Sequence, residues 1–203
     1  MATTLNATAT GRGVDAAAAA ARRVIAALVR AGDISGADMT AVADRLNAIA
    51  DELEAAAPGL RERLVNMWRG DGTTRHDPVT GPENPLAPPL QYTGRPDGSI
   101  EAQVTLDLPY QGPPSCVHGG VSALLLDHTL GVANAWSGPS GMTAELTLRY
   151  HHPTPLFEPL TVTGRQVAVN GSKIRAVGSI SAGDRTCVTA EGLFIAKHPP
   201  RPR

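Results

Sequence analysis

The fold of this chain follows from residues 118–136, which read HGGVSALLLDHTLGVANAW. Their length and composition predict a helix over 119–136, entered through the turn-forming residues Gly112-Pro113-Pro114-Ser115. The predicted helix is apolar on nearly every side. Because a helix that is hydrophobic all round must be enclosed on most sides, we expect the rest of the domain to wrap around it.

Segments with the periodicity of strands lie on both sides of this helix. Apolar and polar residues alternate over 99–108, which predicts a half-buried strand. Four more strands are predicted downstream, at 142–150, 160–169, 173–180 and 186–196. Asn170-Gly171 predicts a tight hairpin between two of them, and Ala182-Gly183-Asp184 predicts a second turn. This order predicts an α+β domain in which an antiparallel sheet curls around one central helix.

The residues that precede this domain have a different composition. Residues 14–57 are rich in helix-forming residues and predict two helices, at 14–29 and 37–57. The second carries an apolar stripe, formed by Val42, Leu46, Ile49 and Leu53. The stripe predicts packing on the main domain or on a second copy, with a lid over a substrate channel as the alternative.

The boundary between the two regions is marked by Gly, Pro, Asp and Asn. These residues are dense over 69–89 and show no periodicity, which predicts a linker or long loop. We therefore expect an N-terminal helical extension at 1–68 and a main domain at 90–198.

Composition and charge exclude several classes of protein. Hydrophobic residues make up 42% of the 203 residues and the net charge is -1, so the chain is globular and lacks the basic excess of a nucleic-acid binder. Two cysteines make neither a disulfide framework nor a metal site and favour a reducing compartment. The N-terminus lacks the pattern of a secretory signal, and no apolar run approaches the roughly 18 residues of a membrane span. We expect a cytoplasmic protein without nucleic-acid or membrane partners.

Asp127 is the candidate catalytic residue of the predicted helix. Burying an unpaired carboxylate in an apolar helix costs free energy, so the presence of Asp127 indicates a specific role. Ala123 and Gly131 share its face and leave room for a ligand. The alternative is a structural role, in which Asp127 bonds a backbone amide or pairs with Arg149.

Gly119 and Gly120 begin the same helix, where backbone N–H groups lack intrahelical partners and the helix dipole is positive. Without side chains, these residues let a carbonyl oxygen approach the amides. Their N–H groups can hold the negative charge that develops on such a carbonyl oxygen when a nucleophile attacks it. We expect Gly120 to supply the oxyanion contact and Gly119 to bind substrate.

The segment from His118 to Asp127 resembles the HGG-to-Asp motif of PaaI-type hotdog-fold acyl-CoA thioesterases. The segment 146–155, LTLRYHHPTP, resembles the strand of that family that ends in Tyr-x-x-Pro-x-Pro. The resemblance covers roughly residues 90–196. It implies the hotdog fold, coenzyme A thioesters as substrates, no metal or other cofactor, and dimers or tetramers. It also places Thr143 where a related mammalian branch has its catalytic threonine.

Helix geometry adds an expectation about the assembly. Gly120 and Asp127 lie seven residues apart, which is about 10 Å along the axis at 1.5 Å per residue. An oxyanion donor and an attacking group must both lie within about 3.5 Å of one carbonyl group. We therefore expect Gly120 of one protomer to face Asp127 of another, in a homodimer or a dimer of dimers. Within that site Asp127 acts either as a nucleophile or as a general base.

Four other residues are candidates for supporting roles. His118 either holds the loop before the helix or contacts the thioester. Thr143 either orients water or the carboxylate or is an ordinary threonine of the strand. Asn134 and Arg175 are candidate substrate-binding residues; Arg175 would meet coenzyme A phosphates, with a solvated surface position as its alternative. The competing function is a non-catalytic module that binds acyl-CoA or an acyl carrier.

Overall fold

A computed structural model describes residues 3–5, 13–34, 36–63, 75–88 and 90–196. The helices are α1 (Gly13–Ala31), α2 (Met39–Ala56), α3 (Leu60–Arg63) and α4 (Gly119–Ser137), with a 3-10 turn at Leu108–Tyr110. The strands are β1 (Thr3–Thr4), β2 (Gln91–Gly94), β3 (Ser99–Thr105), β4 (Gly141–Tyr150), β5 (Pro159–Asn170), β6 (Lys173–Ala182) and β7 (Arg185–Ala196).

The strands of the described residues form one antiparallel sheet in the order β1-β2-β3-β5-β6-β7-β4. Helix α4 packs on β3, β4, β5, β6 and β7. This confirms the prediction of an α+β fold with a sheet around one central helix. The Asn170-Gly171 hairpin is also confirmed, although pairing closes at Asn170 and Lys173, so Gly171 and Ser172 are its central residues. Gly171 takes a φ of 60°, which favours glycine.

The core lies between α4 and the concave face of the sheet. Leu125, Leu126 and Leu130 of α4 are completely buried there. Close approach of the helix depends on Gly178 of β6, because a Cβ atom at this position would lie 3.0 Å from Leu130 Cδ2 and 2.5 Å from a backbone oxygen of β5. The opposite side of α4 stays open, and Leu124 on that side is 40% exposed. None of the described helices is long and apolar enough to cross a membrane.

The residues at 75–88 form a packed loop. Val79 is 1% exposed and belongs to the core, and Arg75 bonds both Asp15 of α1 and Glu83. Arg22 of α1 donates to the carbonyl oxygens of Asn84 and Ala87 at 3.1 and 3.0 Å. The loop therefore joins α1 to the main domain. Residues 69–74 and 89 of the predicted linker or long loop lie outside the described residues.

Helix α2 confirms the second predicted helix but packs differently from α1. It begins after Asp38, whose side chain accepts a bond from the N–H of Ala41 at 3.1 Å. None of its residues is buried. Its apolar stripe therefore does not pack on the main domain.

Candidate active site

Asp127 lies two turns into α4, half-buried and facing the start of β4. Thr143 Oγ1 donates a hydrogen bond of 2.8 Å to Asp127 Oδ1. Among the described residues no cation forms an ion pair with this carboxylate, and Arg149 lies instead on the outer face of the sheet. The structure thus brings together Asp127 and Thr143 and gives the carboxylate a hydroxyl partner.

A β-bulge explains how Thr143 reaches the helix. Thr143 pairs with Phe194 and Glu145 pairs with Leu193, so Ala144 is the extra residue of the bulge. Leu146 points toward α4. If the side chains of β4 alternated strictly between the two faces of the sheet, Thr143 would point away from α4. The bulge shifts the phase by one residue and directs the Thr143 side chain at Asp127. Bulges that redirect a side chain in this way are frequent beside active sites.

His118 caps the start of α4 as its N-cap residue. Its Nδ1 accepts a hydrogen bond of 3.0 Å from the N–H of Gly120. The Gly120 amide therefore already has an acceptor in its own chain, and its assignment as the oxyanion donor stays a prediction. The Gly119 N–H has no acceptor among the described residues and is the amide open to a ligand. Because Nδ1 accepts, the neutral His118 ring carries its proton on Nε2.

Two further contacts fix the start of the helix. Tyr150 Oη, at the end of β4, donates to the carbonyl oxygen of Gly119 at 2.9 Å. The backbone N–H of His118 donates to the carbonyl oxygen of Tyr110 at 2.9 Å. Tyr150 is the tyrosine of the Tyr-x-x-Pro-x-Pro pattern, which was the available signal for it, but its contact with Gly119 could not be derived from that pattern.

His128 follows Asp127 in sequence but belongs to a different cluster. Its Nδ1 lies 3.9 Å from Asp77 Oδ1, its Nε2 lies 3.4 Å from Thr80 Oγ1, and its ring stacks on Tyr92. Burial lowers the pKa of His128 below its ordinary value of 6.5, against smaller opposing effects of Asp77 and Asp127. The low pKa favours a neutral ring that holds the loop at 75–88 on α4.

The remaining candidates lie outside the Asp127–Thr143 cluster. Asn134 is completely buried, and its Oδ1 accepts from Gln166 Nε2 at 3.2 Å. Its Nδ2 is buried without a hydrogen-bond partner among the described residues. Arg175 is exposed on the face of β6 that points away from α4, between the buried Ile174 and Ala176. Substrate binding by Asn134 and by Arg175 stays a prediction.

Two family profiles match separate parts of the chain. Residues 115–190 match "Thioesterase superfamily", and residues 5–62 match "Hypothetical protein RHA1_ro05818, N-terminal helical domain". The crystal structure of protein RHA08564, a thioesterase superfamily protein, is 58% identical, covers 95% of both chains and superposes with a TM-score of 0.87. The chain belongs to the thioesterase superfamily. The resemblance seen in the HGG-to-Asp motif is thereby confirmed.

More distant members of the superfamily share less of the chain. Acyl-coenzyme A thioesterase THEM4 of rat and of mouse are 34% and 35% identical over 94 residues, which are 45% of this chain and 40% of each relative. The chain thus spans about two fifths of the length of the curated relatives it matches. Zebra fish thioesterase superfamily member 2 is 13% identical over 53% of this chain and 81% of its own, with a TM-score of 0.50, and shows the shared fold.

Proposed function

We propose that the protein hydrolyses acyl-CoA thioesters to a free acid and coenzyme A, at sites that two protomers share. The hydrogen bond from Thr143 to Asp127 carries the proposal, because it orients an accessible carboxylate at an open helix face. The Gly119 amide, at the positive end of the helix, is suited to hold the thioester oxyanion. Relatives named acyl-coenzyme A thioesterase support the substrate class.

The two parts of the site lie at opposite ends of β4. Thr143 contacts Asp127 near the start of the strand, and Tyr150 contacts Gly119 at its end. On the helix, Gly119 and Asp127 are eight residues apart, which is about 12 Å along the axis. This distance is too long for both groups to act on one carbonyl group.

A second copy of the chain can bring the two groups together. Strand β4 is the last strand of the sheet, so one of its edges has no partner strand among the described residues. An open edge of this length is suited to pair with another chain. When two β4 strands pair antiparallel around a twofold axis, the start of each lies beside the end of the other. Asp127 of one protomer then lies next to Gly119 of its partner, giving two composite sites per dimer.

The reaction follows one of two routes at this site. As nucleophile, a carboxylate oxygen of Asp127 bonds to the thioester carbon, the coenzyme A thiolate leaves, and water hydrolyses the mixed anhydride. As general base, Asp127 takes a proton from the water that attacks the thioester carbon. A single turnover in oxygen-18 water tests the anhydride route. Label in the Asp127 carboxylate supports the anhydride, whereas label confined to the free acid is expected from the general base and also from an anhydride that water opens at the acyl carbon.

The function is tested with a panel of acyl-CoA thioesters that differ in chain length and aromaticity. Asp127→Asn keeps an oxygen for the Thr143 hydroxyl but removes the nucleophile and base, so hydrolysis should fall to the background rate. Asp184→Asn, on the exposed turn between β6 and β7, is the matched carboxylate control and should keep full activity. If Asp127→Asn hydrolyses the panel as fast as the unchanged protein, the enzyme proposal fails. Retained acyl-CoA binding would then favour the non-catalytic module.

A further inference from the structure

Helix α2 carries the heptad pattern of a helix that packs against another helix. Its apolar residues alternate at spacings of three and four and occupy two rows, Met39, Leu46 and Leu53 at a positions, and Val42, Ile49 and Ala56 at d positions. The pattern runs through the whole of α2. Such a seam packs its side chains into the gaps of a facing helix.

No described helix or strand covers this seam. Val42 and Leu46 are half-buried, while Ile49 and Leu53 are 53% and 65% exposed. Among the described residues, α2 has no extensive packing on another element. Most helix stability in proteins comes from burying an amphipathic face, and the apolar face of α2 is not buried by another described element. The seam therefore needs a partner.

We propose that α2 packs antiparallel against α2 of a second copy of this chain. The residues that flank the seam select this partner. Arg45 and Glu52 lie on one side at g positions, and Ala43 and Ala50 lie on the other at e positions. In an antiparallel pair, g positions face g positions, so Arg45 meets Glu52 of the second copy and the two small alanine rows meet each other. Twofold symmetry repeats the charge pair.

A parallel pair does not match these charges. In that orientation a g position faces an e position of the next heptad. Arg45 would then face Ala50, and Glu52 would have no basic residue opposite. Antiparallel packing also places opposite ends of the two helix dipoles together, which is favourable. The charge pattern and the exposure of α2 thus both favour an antiparallel pair with α2 of a second copy.

The antiparallel register is tested with cysteines in a full-length Cys116→Ser background. In the proposed pair, Val42 of one copy shares a layer with Leu53 of the other. Within one helix these residues lie about 16 Å apart, well beyond the roughly 7 Å limit of a disulfide. Val42→Cys/Leu53→Cys should give a disulfide-linked dimer under mild oxidation, and each single cysteine variant should stay uncrosslinked. A monomeric double variant overturns the proposal, and so does efficient crosslinking of Val42→Cys alone.

Charge reversal tests the partner independently. Adding Arg45→Glu to the double cysteine variant should weaken association about fivefold, read as the crosslinked fraction in a glutathione buffer. Adding Glu52→Arg as well should restore the crosslinked fraction, because both charges are then exchanged in both copies. The matched control is Asn47→Glu, which changes the charge away from the seam and should have little effect. The self-pairing is overturned if Arg45→Glu leaves the crosslinked fraction unchanged. It is also overturned if Glu52→Arg does not restore that fraction.

Discussion

Thr143 donates a 2.8 Å hydrogen bond to Asp127 from a bulged edge strand. The bond joins the catalytic candidate of α4 to β4, the strand proposed to form the dimer. A hydroxyl donor fixes the orientation of the carboxylate without neutralising its charge. This geometry suits the proposed role of Asp127 as nucleophile or general base. The contribution of the Thr143 hydroxyl to catalysis can be tested directly.

Removing that hydroxyl should slow catalysis without unfolding the protein. Thr143→Val loses a hydrogen bond to a charged group, worth about 1.5–3 kcal/mol, so kcat should fall roughly 10- to 100-fold. Thr143→Ser keeps the hydroxyl and should retain most activity. Thr147→Val, an exposed position of the same strand, is the control. Equal kcat values for Thr143→Val and the unchanged protein would mean that this bond has no catalytic role.

The backbone amide of Gly119 should be required for catalysis, as the donor to the oxyanion. Gly119 is the first helical position, where proline is tolerated, and His118 before it has an extended backbone with ψ of 134°. Gly119→Pro thus removes the N–H and should lower kcat about 100- to 1,000-fold. Gly119→Ala is the control, because it adds a Cβ atom near Tyr150 but keeps the N–H. Similar kcat values for the two variants would exclude the amide as oxyanion donor.

The same variant tests whether the site is shared. Asp127→Asn and Gly119→Pro each disable both sites of their own dimer. After subunit exchange, a mixed dimer carries both changes in one composite site and neither in the other, so activity should reappear. Exchange of Asp127→Asn with Asp127→Asn/Gly119→Pro is the control and should stay inactive. If the first mixture remains inactive although mixed dimers form, the site lies within one protomer.

Periodicity and propensity were sufficient to predict most of the fold. Alternation over 99–108, for example, corresponds to the buried Ile100, Ala102, Val104 and Leu106. Strand β2 was missed because Gln91–Gly94 is too short to show periodicity and ends in glycine. A linker or long loop was predicted for 69–89, but the packing of 75–88 could not be derived because its contacts, such as Arg22 with Ala87, join residues far apart in sequence.

The site was predicted less completely than the fold. Asp127 stood out because a carboxylate is unexpected in an apolar helix. The bulge at Ala144 could not be derived, since alternation alone would turn Thr143 outward. The hydrogen bond from the Gly120 amide to His118 could not be derived either, because whether a histidine N-cap accepts from the amide two residues later depends on its rotamer.

His128 should make stability depend on pH. In the unfolded chain it titrates near 6.5, whereas burial lowers its pKa in the folded state. Below pH 6.5 the unfolded state binds more protons, so the free energy of unfolding falls as the pH falls toward the folded pKa and is fully retained above 6.5. His128→Gln should flatten this part of the profile, measured as Tm against pH. His151→Gln, at an exposed position, is the control. If His128→Gln leaves the dependence of Tm on pH unchanged, His128 is not the residue that causes it.

The contact between α4 and the sheet should be sensitive to one methyl group at Gly178. A Cβ atom there would lie 2.5 Å from the carbonyl oxygen of Thr163 and 3.0 Å from Leu130 Cδ2, so the helix or the strand must move. Gly178→Ala should lower the free energy of unfolding by about 1–3 kcal/mol, the usual cost of overpacking a core. At Gly13 no atom lies within 4 Å of an added Cβ atom, so Gly13→Ala should change stability by less than about 0.5 kcal/mol. Urea unfolding of both variants measures the difference, and equal stabilities would mean that neither β5 nor α4 lies as close to Gly178 as these distances indicate.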